Sequence, residues 1–414
     1  MKRLLMYSQD GNGLGHLRRT INIARDLRRR NPHCDIVIVA DSPAASIVGS
    51  TPGIDLLKLP TIVKTGASSW VNATLALPTK RVIKLRSDLM LRVFAEFRPD
   101  TVLVDHMPVG AMGELKPMLN YAATRPRPPR MFLGLRDVLD RPAVIRRSWR
   151  ELNAYRYLPV YDAVLIYGDR SVYDASAAYD LLPNARAVVY CDYVAPRRSM
   201  RARPGPAPPP FILMMGGGGA DAFPLARAFV EAIPAVRREL PVEAVLLTGP
   251  NMPVRQRDRL ARCADGSVRV ESRYGDATEW IEAAAAIVTM AGYNSLCEVL
   301  ACQKKALVVP RRGPSAEQRI RSALFSERSL IRSLEPRLLE PANLASSLIG
   351  LLADDGVPNV SGIPGLDGAR LTANVLLEWT PALAARRPAG AMNGARVATV
   401  PRVGCTEPAE ALQQ

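Results

Sequence analysis

Short apolar runs of buried-strand type alternate with amphipathic helical patterns through most of this 414-residue chain. Residues 35–40, DIVIVA, show the strand type, and Leu17, Ile21 and Leu27 lie at helical spacing. Alternation of this kind is typical of parallel sheets covered by helices. The sequence therefore predicts an α/β protein, with strands at residues 4–8, 35–40, 101–106, 130–135, 162–168, 187–193, 211–215, 242–249, 267–272, 286–290 and 306–310.

A segment rich in proline and arginine divides this alternation into two halves. Residues 196–210 have no apolar periodicity, which is typical of an extended linker between domains. We therefore predict two Rossmann-like, doubly wound domains that face a cleft, at residues 1–195 and 211–380. Residues 381–414 lack an apolar face, and we predict that this tail is disordered.

The charge is positive and concentrated in the first half of the chain. The formal net charge is +16, and residues 1–200 hold 30 basic and 18 acidic residues, a net +12. Such an excess attracts an anionic membrane, a phosphorylated substrate or nucleic acid. Aromatic residues make up only 6% of the chain and no recognition motif is present, so we expect no nucleic-acid partner.

The sequence offers no membrane span, secretory signal or metal motif. No apolar run approaches the roughly 18 residues of a membrane-spanning helix, and the apolar run near the start is too short for a signal peptide. The six cysteines are scattered without a C-x-x-C pair, so we predict neither a zinc site nor a disulfide framework. We expect a cytoplasmic protein with no bound metal.

The loop after the first strand reads Gly11-Asn12-Gly13-Leu14-Gly15-His16. Glycines there let a ligand approach the backbone, and the following helix presents unpaired N–H groups to an anion. His16 replaces the third glycine of the dinucleotide-binding fingerprint. Asp41, after the second strand, still suits a ribose contact, so an NAD(P)-dependent oxidoreductase stays an alternative.

The chain has only three histidines, and His16 has the most informative position. At the mouth of the first strand, a neutral imidazole can take a proton from a substrate hydroxyl; the alternative is a residue that only starts the helix. His33 fits an exposed turn, and His106 fits either a loop at the cleft or the core. Asp105, at a strand end, either orients the base, binds an acceptor or is structural.

The second half contains three further loops of binding type. Four consecutive glycines follow a buried strand, which favours close approach of a ligand over a simple turn. The third loop, 290–298, has the strand, glycine and helix start that hold a diphosphate. Glu298 could accept hydrogen bonds from ribose hydroxyls, or could simply be favoured by the helix dipole. The residues predicted in the first two loops are Gly216, Gly217, Gly218, Gly219, Thr248 and Gly249.

Three segments together resemble the GT-B glycosyltransferases. They are GNGLGH, GGGG and MAGYNSLCEVLACQKKALVVPRRGPSAEQRIRSAL. The resemblance is to the family 28 group, which includes the bacterial peptidoglycan lipid-intermediate GlcNAc transferase, and it covers residues 1–380. The stretches VDHMPVGAMGELKPML and MFLGLRDVLDRP resemble more closely a branch of predicted glycosyltransferases.

This resemblance implies a role for each matching residue. The C-terminal domain would bind a nucleotide-sugar donor, with Glu298 on the ribose. The N-terminal loop would reach towards phosphate and acceptor through Gly13, Gly15 and His16. The remaining implied donor contacts are Gly292, Tyr293, Asn294 and Ser295 for the diphosphate and sugar, Tyr274 and Gly275 for the base, and Glu317 and Gln318 for sugar hydroxyls.

The implied activity is an inverting, metal-independent transfer of a sugar from a UDP-linked donor to an acceptor hydroxyl. Helix dipoles and backbone N–H groups would neutralise the leaving diphosphate, so no cofactor is needed. The domains would close about the linker to exclude water. A sugar-nucleotide 2-epimerase of the same architecture is the alternative, although it would be expected to have more carboxylates and histidines around the sugar.

The acceptor should bind to the positively charged N-terminal half and would be lipid-linked or a glycan. An apolar patch beside basic residues suits anionic lipid headgroups, while the alternative is an ordinary loop over a core helix. We therefore predict weak peripheral association with the inner face of the membrane. The patch comprises Trp70, Val71, Leu75 and Leu77, next to Lys80, Arg81, Lys84 and Arg86.

Overall fold

The computed structural model describes residues 1–11, 13, 15–43, 51–65, 70–196, 210–272 and 277–380, together with the backbone of 396–399. Residues 197–209 of the predicted linker and most of the predicted tail lie outside these ranges. The remainder confirms the α/β class and the two sheets. Within the described residues, no helix is long and apolar enough to cross a bilayer.

The N-terminal domain is built on a parallel sheet in the order β9-β8-β7-β6-β1-β2-β3. A separate antiparallel hairpin, β4–β5, lies beside it. The hairpin and the edge strand β3 were not predicted, because these strands are short and largely exposed. The strands are β1 Arg3–Ser8, β2 Asp35–Ala40, β3 Ile54–Lys58, β4 Ile62–Lys64, β5 Trp70–Asn72, β6 Thr101–Asp105, β7 Arg130–Arg136, β8 Ala163–Tyr167 and β9 Ala187–Tyr190.

Helices cover both faces of this sheet. The apolar side of α1 packs against one face, and α2 to α5 pack against the other through residues such as Met90, Phe94 and Trp149. The helices are α1 Gly15–Arg30, α2 Thr79–Phe97, α3 Lys116–Ala123, α4 Pro142–Glu151 and α5 Ala175–Ala178, with a 3-10 helix at Tyr155–Val160.

The C-terminal domain has a second parallel sheet in the order β12-β11-β10-β13-β14-β15. Its strands are β10 Phe211–Met215, β11 Glu243–Leu247, β12 Arg269–Glu271, β13 Ala286–Thr289, β14 Lys305–Val308 and β15 Arg332–Ser333. Its helices are α6 Phe223–Glu239, α7 Val254–Cys263, α8 Ala277–Ala283, α9 Tyr293–Ala301, α10 Glu317–Ser326 and α11 Pro341–Leu352, with 3-10 turns at Pro336–Leu338 and Val360–Gly362.

The end of the chain returns to the N-terminal domain, which corrects the boundary predicted at residue 380. Helix α12, Gly368–Glu378, packs against α1. Trp379 then stacks edge-on against Phe132 with ring centroids 5.6 Å apart, and Arg130 donates a hydrogen bond to the carbonyl of Leu377. Helix α12 therefore belongs to the N-terminal domain, because its apolar face completes the layer that α1 begins.

A short strand within the predicted tail was not anticipated. Residues Arg396–Thr399 form β16, which pairs antiparallel with β9 at the edge of the N-terminal sheet. The rest of 381–414 lies outside the described residues.

Each sheet reverses its strand order at one place, and the binding loops lie there. Strand β1 is flanked by β2 and β6, and β10 is flanked by β11 and β13. The crevice beyond the carboxyl ends of strands at such a reversal is the usual ligand site of open α/β sheets. In the first sheet, His16 lies just after β1 and Asp105 is the last residue of β6. In the second sheet, the Gly216 loop follows β10 and the Gly292 loop follows β13.

Candidate active site

His16 and Asp105 are in direct contact in the crevice of the N-terminal domain. The Nδ1 atom of His16 lies 2.6 Å from Oδ2 of Asp105. Nη2 of Arg19 lies 2.8 Å from the same Nδ1. In the tautomer that carries its proton on Nδ1, the ring donates to this carboxylate and Nε2 is its proton acceptor. The sequence-predicted pair is therefore brought together in the geometry of a base and the group that orients it.

Arg19 binds the same Asp105 carboxylate that contacts His16. Its Nη2 lies 2.9 and 2.7 Å from the two oxygens of Asp105, and its side chain is only 1% exposed. Burial alone would raise the pKa of Asp105, but Arg19 and His16 bring it below its ordinary value. Asp105 is therefore an anion that fixes the ring of His16.

A second imidazole stands beside the first. The ring centroids of His106 and His16 are 4.5 Å apart. Burial, together with the neighbouring His16 and Arg136, holds the pKa of His106 well below its usual range, so the ring is neutral. Its buried Nδ1 has no hydrogen-bond partner among the described residues, and its φ of 76° is unusual for a residue other than glycine. The structure thus places His106 at the cleft.

The start of α1 is held by a buried carboxylate. The backbone N–H groups of His16 and Leu17 donate to Oδ2 of Asp10, at 2.9 and 3.2 Å. Asp10 is itself anchored, because its N–H donates to Oδ1 of Asp41 at 2.6 Å. The position of His16 therefore depends on a chain of contacts that runs into the domain core.

Asp41 does not have the position predicted for a ribose ligand. Its side chain is fully buried and binds Nη1 of Arg86 at 3.0 Å and Nε2 of Gln9 at 2.7 Å. Arg86 also binds Glu114 at 2.9 Å. Arg86 was predicted in the basic patch beside the apolar surface, but it is fully buried, because it compensates these two interior carboxylates.

Two glycine loops of the C-terminal domain pack against each other. A Cβ on Gly219 would lie 2.4 Å from the carbonyl oxygen of Thr248, and one on Gly249 would lie 2.6 Å from that of Gly217. Both glycines also have positive φ, of 90° and 83°. Loop packing therefore explains these glycines, and the side chain of Thr248 is fully buried with its hydroxyl unpartnered among the described residues.

The exposed part of the glycine turn lies beside the start of α9. Gly217 and Gly218 are exposed, and a Cβ on Gly217 would lie 3.5 Å from Oγ of Ser295. Gly292 is the N-cap of α9 and no side chain caps it. The helix N-terminus, Ser295 and Gly217 therefore lie together beyond the carboxyl ends of β10 and β13, and unpaired N–H groups at such an end favour an anion.

The two domains meet across this wall. The side-chain amide of Asn294 donates to the carbonyl of Gly15 at 2.8 Å, and Gly15 directly precedes His16. Nη2 of Arg18 lies 3.2 Å from Oε1 of Glu298, whose side chain is 5% exposed. The predicted donor residues Asn294 and Glu298 therefore face the predicted catalytic loop.

Tyr293 does not present its side chain to the crevice. It is buried in the domain interface, where its hydroxyl accepts a hydrogen bond from the backbone of Val194 at 2.8 Å. Its ring lies between the guanidinium groups of Arg19 and Arg321, at 5.3 and 5.5 Å. The ring is therefore part of the core that joins the domains, and the predicted donor contact of Tyr293 stays a prediction for its backbone at the start of α9.

Glu317 and Gln318 are also committed to the protein interior. Oε1 of Glu317 binds Arg136 at 2.7 Å and Arg321 at 3.0 Å. Gln318 is 7% exposed and accepts a hydrogen bond from the backbone of Arg311. Oε1 of Glu317 and the amide oxygen of Gln318 therefore bind arginine and backbone groups, and the contact of these residues with sugar hydroxyls stays a prediction. Predicted contacts Tyr274 and Gly275 lie outside the described residues.

Arg321 is the centre of this interdomain network. Its Nη2 lies 2.7 Å from Oδ1 of Asp137 at the end of β7, and its side chain is fully buried. Arg18, Arg19 and Arg321 were not identified from the sequence. The sequence carried only a weak signal for them: Arg19 and Arg321, which are buried in the structure, lie among apolar residues on helices α1 and α10.

We expect Glu317→Gln to loosen the domain interface and to change its dependence on pH. Burial would raise the pKa of Glu317, but Arg136 and Arg321 lower it to about 2. A depressed pKa stabilises the fold above the ordinary value of 4.5 and loses this effect as the pH falls towards 2. The variant should lose about 2 kcal/mol at pH 7, and the difference from the parent should shrink between pH 5 and pH 3.

Thermal unfolding at several pH values measures this, with the exposed Glu279→Gln as the control. A difference between parent and Glu317→Gln that stays constant from pH 7 to pH 3 would contradict the ionic role.

The described residues contain no group of three or more histidines, cysteines and carboxylates placed to hold a metal ion.

Comparison with known proteins agrees with this architecture. Residues 211–354 match the model of the glycosyltransferase family 28 C-terminal domain. A stretch of 174 residues is 30% identical to the UDP-N-acetylglucosamine–N-acetylmuramyl-(pentapeptide) pyrophosphoryl-undecaprenol N-acetylglucosamine transferase of Paenarthrobacter aurescens strain TC1, and covers 42% of this chain. The matched stretch spans about half the relative's length, 46%.

Several solved structures share the whole fold. MurG of Acinetobacter baumannii superposes with a TM-score of 0.57 at 15% identity, over 91% of this chain and all of that one. The glycotransferase of kitacinnamycin gives 0.57 at 17% identity, over 89% and 93%. A UDP-glucose: anthocyanidin 3-O-glucosyltransferase in complex with UDP gives 0.57 at 12% identity, over 91% and 94%.

These likenesses define the class of the molecule: it has the GT-B fold, with two Rossmann-like domains facing one crevice. Within its C-terminal domain, residues 211–354 are similar to the C-terminal domain of glycosyltransferase family 28.

Proposed function

We propose that this protein is a glycosyltransferase that moves a sugar from a UDP-linked donor to an acceptor hydroxyl, with inversion and without a metal. The contact that carries the proposal is the hydrogen bond from Asn294 to the carbonyl of Gly15. It sets the N-terminus of a family 28 helix directly against the residue preceding His16. A diphosphate at that helix and a base on the opposite side would then flank the anomeric carbon.

The donor site would use α9 and Glu298. The N–H groups of the first turn of α9 would stabilise the diphosphate as negative charge develops on it, which is the role a metal has elsewhere. The carboxylate of Glu298 would accept hydrogen bonds from the ribose hydroxyls. Because Arg18 now binds Oε1 of Glu298, donor binding requires that guanidinium to shift, and its 44% exposure gives it room to do so.

His16 would act as the general base. Nε2 takes the proton of the acceptor hydroxyl as its oxygen forms a bond to the anomeric carbon. The bond from that carbon to the diphosphate breaks, and its electron pair leaves with UDP. Asp105 would stabilise the imidazolium that forms, because its carboxylate lies 2.6 Å from Nδ1 of the ring. A single displacement of this kind inverts the anomeric configuration.

We expect UDP to raise the unfolding temperature, since a ligand at 100 times its Kd adds about 2.7 kcal/mol to stability. Glu298→Gln should weaken UDP binding about tenfold or more, because an amide cannot replace both charge-assisted acceptors of the ribose. The control is Glu231→Gln on the exposed side of α6.

Stabilisation by NAD(P) but not by UDP would refute the donor assignment, as would equal UDP binding by the Glu298→Gln variant. The same preparations, assayed for transfer with EDTA present, test metal independence, and loss of turnover on chelation would overturn it.

We further propose weak peripheral contact with anionic membranes at the inner face of the cytoplasmic membrane. Val71, Leu75 and Leu77 are 39–41% exposed, and Leu85 is 40% exposed on the nearby helix α2. Lys84 is 76% exposed beside them. Apolar side chains ringed by base suit an anionic lipid surface.

We expect the protein to sediment with vesicles containing phosphatidylserine at low salt, and Leu75→Ser/Leu77→Ser to reduce the bound fraction several-fold. Val254→Ser, which changes an exposed valine of the other domain, is the control. If the protein does not sediment with these vesicles at low salt, the proposed membrane contact is wrong.

A further inference from the structure

The guanidinium group of Arg19 packs against two buried tyrosine rings, one from each domain. Its central carbon lies 5.3 Å from the ring centroid of Tyr167, the last residue of β8, and 5.3 Å from that of Tyr293, the first residue of α9. A planar, weakly hydrated guanidinium suits such stacking, and the attraction is strongest where water is excluded. Arg19 is 1% exposed. The arginine that binds the Asp105 carboxylate is therefore held in part by a ring of the other domain.

The two rings are fixed in different ways. Tyr167 is anchored within the N-terminal domain, where a side chain on Gly134 of β7 would overlap its hydroxyl. Tyr293 reaches across the domain boundary, and its hydroxyl accepts the N–H of Val194 at 2.8 Å. The contact of the Tyr293 ring with Arg19 therefore depends on the docking of the two domains, whereas the contact of Tyr167 does not.

Arg19 stands between two groups that compete for its N–H. Its Nη2 lies 2.7 and 2.9 Å from the two oxygens of Asp105, and 2.8 Å from Nδ1 of His16. The hydrogen bond to the carboxylate is the stronger of the two, because both of its partners are charged. The direction in which the guanidinium points therefore decides whether Nδ1 of His16 donates or accepts.

Only one of the two tautomers of His16 can act as a base at Nε2. With Arg19 aligned on Asp105, Nδ1–H of His16 is a further donor to the carboxylate, and Nε2 is left to accept a proton. With Arg19 turned towards Nδ1, the opposite tautomer is stabilised, and its Nε2 already carries the proton. Anything that keeps Arg19 aligned on Asp105 therefore favours the competent base.

Resting on the proposed function, we propose that Tyr293 and Arg19 are positioning residues for His16. The Tyr293 ring holds the guanidinium of Arg19 in line with Asp105, and so keeps His16 in the tautomer that accepts a proton at Nε2. Because Tyr293 begins α9, the base is completed only while the start of that helix, the proposed diphosphate site, is docked beside it. Donor bound to separated domains would then meet an incomplete base, which limits its hydrolysis by water.

The experiment uses the full chain with nitrogen-15 in its histidine rings, whose NMR signals show which ring nitrogen carries the proton. The measurement is made at about pH 8, above the range in which an ordinary histidine is charged. The chain has only three histidines, and His16→Gln identifies the signals of His16 by their loss. We expect His16 of the parent to carry its proton on Nδ1.

Tyr293→Leu should lower the ratio of the Nδ1–H to the Nε2–H tautomer of His16 by about tenfold or more, in keeping with the strength of a desolvated cation–π contact. Tyr293→Phe keeps the ring and loses only the hydrogen bond to Val194, so its His16 signals should match those of the parent. Arg19→Lys keeps the charge but lacks the planar fork. It should also show a mixture of tautomers, to which Tyr293→Leu adds little.

Phe325→Leu is the matched control, because it removes a buried ring from the same domain interface. That ring packs edge-on against Tyr193 with centroids 5.7 Å apart, and Phe325 is 1% exposed. This variant should lower the unfolding temperature as Tyr293→Leu does, and leave the His16 signals unchanged. The comparison separates the position of Arg19 from a general loosening of the interface.

The positioning role is overturned if His16 of the parent carries its proton on Nε2, or if Tyr293→Leu keeps the parent's signals. It is equally overturned if Phe325→Leu or Tyr293→Phe changes these signals as much as Tyr293→Leu does. UDP binding by the parent tests the proposed function separately. A parent that does not bind UDP refutes the transferase, and with it the part of Tyr293 in transfer, even where the tautomer result holds.

Discussion

His16→Ala should lower kcat for sugar transfer by about 1,000-fold, which lies within the range that a positioned general base contributes. The imidazole is the group beside Asp105 that can accept the acceptor's proton, and alanine leaves only water for that step. UDP affinity should change little, because the proposed diphosphate site is the start of α9 in the other domain. Product formation from a UDP-sugar, with separate measurement of UDP binding, gives both quantities.

The matched variants separate chemistry from folding. His33→Ala changes an exposed turn histidine and should leave kcat unchanged. Asp105→Asn should also reduce kcat strongly, because an amide allows the wrong tautomer of His16. A His16→Ala protein that folds normally and keeps more than about a tenth of the parent's kcat would show that another group is the base.

Arg86→Met should destabilise the N-terminal domain by about 3–5 kcal/mol, the usual cost of removing one partner from a buried ionic cluster. Arg86 is fully buried and contacts Asp41, Glu114 and the hydroxyl of Tyr7 at 2.9–3.0 Å. Methionine fills the same space but leaves two carboxylates in the interior. Urea unfolding followed by circular dichroism measures the loss.

Arg92→Met is the control, because that arginine lies on the same helix and is 81% exposed. Adding Glu114→Gln to Arg86→Met should recover part of the lost stability, since one of the two uncompensated charges is removed. If Arg86→Met matched the control in stability, the cluster would not hold the domain together. Because Asp41 anchors Asp10, and Asp10 holds the start of α1, partial loss of activity should accompany the destabilisation.

The strands and the domain division could be predicted because they depend on local pattern. Residues 102–104 are consecutive apolar residues, which is typical of a strand buried on both faces, and they lie in β6. The sequence-based boundary at residue 380 placed helix α12 in the C-terminal domain, whereas it packs on the N-terminal one. The apolar face of a helix does not indicate which of two sheets it will cover. Strand β3 alternates exposed and half-buried residues and gives little signal.

The site was predictable in part, for a similar reason. His16 and Asp105 each end a predicted strand or begin a predicted helix, and neighbouring parallel strands bring such ends together. The roles of Glu317 and Tyr293 are set by contacts with Arg136 and Val194 of the other domain, which are 181 and 99 positions away in the sequence. Pairs this distant leave no local pattern, so an interface glutamate and a donor-site glutamate look alike in the sequence.

The glycine loops also show what the sequence alone could not predict. Their composition predicts close approach, which is correct, but the approaching group at Gly219 is the backbone of Thr248. The exposed glycines of this turn are Gly217 and Gly218, and Gly217 lies beside Ser295, so the predicted ligand contact would fall to these two.

A crystal structure with bound UDP tests the central assignment most directly. We expect the diphosphate within hydrogen-bond distance of the N–H groups that begin α9, with the ribose hydroxyls on Glu298 and Arg18 displaced from that carboxylate. His16 should face the terminal phosphate across the crevice. UDP bound away from α9, or a Glu298 carboxylate that keeps Arg18 while the ribose lies elsewhere, would contradict the account.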